Sequence, residues 1–67
     1  MKKIIKEWKY RLKNIDENLE IHIRATENKE YTKDMRDYAR SRVISLTEYK
    51  NLIESTIEAL EKVKQEV

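Results

Sequence analysis

Residues 19–25 read Leu19-Glu20-Ile21-His22-Ile23-Arg24-Ala25, and whether they form strand or helix decides the fold. Taken alone, they alternate apolar and polar side chains, the pattern of a half-buried strand. Taken with what precedes them, they extend a different repeat. Ile4 (with Ile5), Trp8, Leu12, Ile15, Leu19 and Ile23 recur at steps of four and three, one face of a helix from about residue 2 to 26. Asn14, Asp16 and Asn18 are turn-prone, and Ile21 falls on the strand stripe only. Both readings stay open, and the repeat that runs unbroken from Trp8 to Ile23 favours the helix.

Residues 26–32 are polar and lack a stripe, so they form the turn, with Asn28 or Thr32 as the next helix cap. Beyond it, positions 35, 39, 42, 46, 49, 53, 56, 60, 63 and 67 alternate by four and three to the end of the chain. One signal cuts across that run. Ser45 and Glu48 have the S-x-x-E spacing of a capping box, and Ile44 and Tyr49 sit where a hydrophobic staple forms. Either a third helix starts at Ser45 or one long, bent helix spans about 32–66. The in-phase stripe favours the second. Arg42 then stands at a seam position, where a charge needs a partner or a route to solvent along its stem.

Sixty-seven residues make a single domain, 1–67, near the size at which one core is barely sufficient. With no cysteine there is no disulfide or thiolate metal site, which leaves oligomerisation as the common remedy. With no glycine or proline, hairpin-rich β folds and phosphate-cradling loops are disfavoured. A composition of 42% charged and 39% hydrophobic residues suits amphipathic helices. No run is apolar enough for a membrane span, and Lys2-Lys3-Ile4-Ile5-Lys6 is followed by no signal-type apolar stretch. A cytoplasmic protein with no membrane partner is expected.

The net charge of +2 is small, but its distribution is uneven. Lys2, Lys3, Lys6, Lys9, Arg11 and Lys13 make the start basic, and Glu48, Glu54, Glu58, Glu61 and Glu66 make the last segment acidic. The two ends attract if the chain folds back on itself. Tyr10, flanked by Lys9 and Arg11, fits a partner-facing patch made of Lys6, Lys9, Tyr10, Arg11 and Lys13.

Catalytic chemistry has little to work with. His22 is the single histidine, so neither a Cys-His pair nor a multi-histidine metal site can form within one chain. Ser41, Ser45, Thr47, Ser55 and Thr56 have no base at helical spacing, and Glu54, Glu58 and Glu61 read as a solvated face. No enzyme activity, cofactor or metal is expected.

From Ile21 to Ile57 the chain partly resembles the ribbon-helix-helix DNA-binding proteins. Ile21-His22-Ile23-Arg24 looks like their short strand, and residues 38–49 (YARSRVISLTEY) look like the end of their first helix, the turn and the capped second helix. The resemblance implies a dimer whose paired strands enter the major groove, with Glu20, His22 and Arg24 outward and Ile21 and Ile23 inward. His22 and Arg24 would then be the DNA-binding residues. Val43 stands where that family has a turn glycine, and Lys50 and Glu54 where it has apolar residues. The overall pattern is also similar to many small helical proteins of phages and mobile elements that grip a host protein.

The preferred reading is all-α: an antiparallel hairpin of helices about 2–26 and about 32–66 that dimerises into a four-helix bundle. Its core and dimer interface are expected at Trp8, Leu12, Ile15, Leu19, Leu46, Tyr49, Ile53, Leu60 and Val63. The expected function is non-enzymatic binding of a protein partner, as a regulator, inhibitor or assembly factor. The alternative is a dimeric ribbon-helix-helix repressor with an added amino-terminal helix.

Overall fold

The structure is a computed structural model that describes residues 2–66, and the side chains of residues 2–63. Its elements are α1 (Lys2–Glu27) and α2 (Lys33–Glu66), packed against each other as an antiparallel hairpin. Among the described residues there is no strand. Leu19–Ala25 are helical, so the long repeat prevails over the short alternation. Residues Ile21–Arg24 therefore present no extended edge for a second chain to pair with. Neither helix is long and apolar enough to cross a membrane.

The turn manages without glycine, and no described residue has a positive φ. Asn28 organises it. Its side-chain oxygen accepts the Glu30 N–H at 3.0 Å, its carbonyl accepts the Tyr31 N–H at 3.2 Å, and its own N–H donates to the Ala25 carbonyl at 3.3 Å. Thr32 then caps α2. Its hydroxyl oxygen accepts the Met35 N–H at 3.2 Å and its carbonyl accepts the Arg36 N–H at 3.1 Å.

No break occurs at Ser45. The Thr47 hydroxyl donates to the Val43 carbonyl at 2.7 Å, a four-residue back-bond that spans Ser45 and needs continuous helix there. The capping-box residues are exposed, mid-helix positions. A cap has value only where backbone N–H groups lack partners, and here the preceding turn supplies them.

Packing follows a heptad on both helices. Positions 5, 8, 12, 15, 19, 22 and 26 of α1, and 36, 39, 43, 46, 50, 53, 57 and 60 of α2, are all buried or half-buried. The buried members are Ile5, Leu19, Ala39, Leu46, Ile53 and Ile57, and Ile53 alone is sealed completely. Trp8, Leu12, Ile15 and Leu60 are half-buried.

This seam shares residues 39, 46, 53 and 60 with the sequence stripe and departs from it at every other step. Arg36 and Lys50 face α1 where Met35 and Tyr49 were expected; of the neighbours Arg42/Val43 and Thr56/Ile57, which the stripe left open, Val43 and Ile57 take the seam, and Arg42 is exposed. Tyr49, Val63 and Ile23 are likewise outside the intrachain core, at 44–45% exposure. Val67, also on the expected stripe, lies outside the described residues.

The molecule is a rod, 53 × 15 × 11 Å between Cα extremes. Two helices side by side form one layer, and each can cover only one stripe of the other.

Candidate functional site: the open flank of the hairpin

The two edges of the seam differ in chemistry. One edge is closed by ion pairs between the helices. Lys9 Nζ lies 3.1 Å from Glu61 Oε1, and Lys50 Nζ lies 2.8 Å from Asp16 Oδ1 and 3.9 Å from Glu54 Oε1. The Lys9 pair is well exposed on both sides and contributes under ~1 kcal/mol. Its use is to fix register, with the basic start of α1 beside the acidic end of α2.

Lys50 is the residue the sequence reading passed over. It occupies a seam position, its stem half-covered and its ammonium at the edge. The Asp16 carboxylate, by accepting its hydrogen bond and then by charge, holds the ammonium above its ordinary value of 10.5, and Glu54 adds to this. The sign is that of a cation gaining a partner. The stabilisation is fully present below pH 10.5 and is lost as pH rises through the folded-state value. Asp16→Asn should therefore return Lys50 to the ordinary lysine range in an NMR titration of its side chain. An Lys50 value that does not move would show that the pair is not formed in solution.

The other edge is open. Roughly 100° around each helix from the packed seam lies a second stripe, at residues 35, 38, 42, 45, 49, 52, 56, 59 and 63 of α2 and 4, 7, 11, 14, 18, 21 and 25 of α1. It carries Ile4, Ile21, Met35, Tyr38, Tyr49, Leu52 and Val63, each 44–66% exposed, together with Ala25 and Ala59. Its charges are Glu7, Arg11 and Arg42, in a chain in which 42% of residues are charged. Near the turn the two stripes meet in an open hollow of about 430 Å³, where Ile21 and Ala25 of α1 face Met35 and Tyr38 of α2.

The basic patch expected around Tyr10 is divided by the helix. Lys6, Tyr10 and Lys13 point outward and are exposed, Lys9 turns to the ion-paired edge, and Arg11 turns to the open flank. There the Arg11 guanidinium lies 4.9 Å from the centroid of the Trp8 ring, a cation–π contact over the half-buried indole. His22 belongs to the seam, its Nδ1 placed 2.7 Å from the Asn18 carbonyl oxygen to which an N–H there donates. Arg24 pairs with Glu20 one turn away at 2.6 Å. Helical geometry thus separates the two residues that an extended strand would present side by side.

Among the described residues, no group of three or more His, Cys, Asp or Glu side chains is arranged to hold a metal ion. What the surface offers is a long, weakly charged apolar strip on an otherwise charged rod. Compared with protein-family models, curated proteins and solved structures, the chain has no significant match.

Proposed function

We propose that this protein works by association: it binds a helical protein surface along its open flank, as a regulator, inhibitor or assembly factor. One observation carries the reading. The hairpin places its cross-helix ion pairs on one edge and leaves on the other a strip that is mainly apolar along α2 and near the turn, with Glu7, Arg11 and Arg42 as its charges. Exposed apolar strips of this kind mark interaction surfaces on soluble proteins, and tyrosine and methionine are enriched at such surfaces.

Leu52→Asp tests it. Leu52 is 61% exposed, so the hairpin itself tolerates the change, and helicity by circular dichroism should stay at the wild-type level. Association should fall more than tenfold, whether read as self-assembly in sedimentation or as capture of a protein from native extract. A variant that still associates like the wild type would sink the reading. Arg24→Ala, on the solvent side, should leave association unchanged.

A further inference from the structure

The strip on α2 is more apolar than the strip on α1, and this difference bears on what covers it. Met35, Tyr38, Tyr49, Leu52, Ala59 and Val63 line α2, with Arg42 as the one charge. The middle of the α1 strip is Glu7, Arg11, Asn14 and Asn18. We infer that the occupant of the flank is a second copy of this chain, docked with the two α2 helices antiparallel against each other and the two-fold axis near the middle of α2. The inference rests on the open flank being the binding surface, as proposed above, and names its partner.

Three observations select a second copy and this orientation. The first is core size. A cysteine-free chain of 67 residues whose buried core, among the described residues, is five branched aliphatic side chains and one alanine is short of buried surface. The strip from Met35 to Val63 is roughly 42 Å long at 1.5 Å per residue, and two helices wide it offers on the order of 800 Å², the share each partner gives to a standard specific interface.

The second is orientation. Two hairpins can face each other about a two-fold axis in only two ways: α2 on α2 and α1 on α1, both antiparallel, or each α2 on the partner's α1. The first sets apolar strip on apolar strip and the asparagine-rich middle of α1 on its own twin. The second would lay Tyr49 and Leu52 against the Glu7–Asn18 stretch, leaving charges and amides facing apolar groups.

The third is register. Tyr49 and Asn51 lie about the midpoint of α2, which runs from Lys33 to Glu66, so an axis there overlaps the two helices end to end. Tyr49 then meets Leu52 of the partner copy, and the long Arg42 meets the small Ala59 of the partner copy. The two copies of Arg42 stay roughly 25 Å apart.

Single spin labels at Asn51, Lys33 and Lys62, all exposed, read the arrangement as distances between copies. The proposal expects a dimer by sedimentation, with a label separation under ~20 Å at Asn51, about 35 Å at Lys62 and about 50 Å at Lys33, since axial offset grows by ~3 Å per residue from the axis. It also expects Leu52→Asp to yield helical monomers. A dimer whose three distances are equal overturns the orientation and leaves the flank as a binding surface. A monomer at all concentrations overturns self-association, and capture of a different protein that Leu52→Asp abolishes would show the flank reading standing without it. A Leu52→Asp dimer overturns both.

Discussion

Ile53→Ala should unfold much of the population at concentrations where the wild type is fully helical. Among the described residues Ile53 is the one with no exposed surface, at the middle of the seam. Removing its outer carbons from a well-packed site costs about 2–5 kcal/mol, the lost transfer free energy plus the cavity left behind. A chain of this length has roughly 3–10 kcal/mol in total at ~0.05–0.15 kcal/mol per residue. One substitution therefore removes a large share. Its neighbour supplies the control. Leu52 is a residue of similar volume, one position away, and 61% exposed. Within a single hairpin Leu52→Ala should cost no more than about 0.5 kcal/mol. Urea unfolding followed by helix circular dichroism measures both, and a dilution series separates them further. The Leu52→Ala deficit should appear only where chains associate, while the Ile53→Ala deficit should persist at any concentration. Equal losses at high dilution would mean that the seam is not where the heptad places it.

How much of this was legible in the sequence depended on the range of the signal. Helix limits were readable to within a residue or so because the polar turn and Thr32 interrupt two long repeats. The strand-like alternation at Leu19–Ala25 competed with the longer repeat but is only local, and a helix whose apolar face is wide passes through such stretches. Ile21 is exposed on the open flank and Ile23 at the ion-paired edge, and neither is part of a strand.

The seam was half legible for a related reason. α2 has two apolar stripes, and a stripe read from hydrophobicity alone runs between them. It chose Met35 and Tyr49 over Arg36 and Lys50, because nothing local shows that a lysine stem fills a seam position while Asp16 receives its charge. That information lies in the other helix. The same width explains why Tyr49 and Val63 read as core yet stand outside it in one hairpin: they lie on the second stripe, which only the proposed association would cover.

Ser45 carries the second large prediction, because here local chemistry and long-range phase disagree. Ser45→Pro should cost about 3 kcal/mol or more and lower the helix signal. Proline there removes a backbone donor, and its ring strikes the carbonyl one turn back, at Ser41. The damage would spread, since Val43 and Leu46 on either side both face α1. If a helix began at Ser45 instead, no intrahelical bond would exist to break, and the loss would be that of a cap, about 1 kcal/mol. Ser45→Ala sharpens the contrast by sign. An exposed serine inside a helix is a weaker helix former than alanine, so the substitution should stabilise by about 0.5 kcal/mol, whereas removing a real N-cap should destabilise by about 0.5–2 kcal/mol. The Thr47 back-bond to Val43 across this position predicts the first outcome. A destabilised Ser45→Ala protein, together with a tolerated Ser45→Pro, would divide α2 in two, and with it the continuous strip on which the proposed association depends.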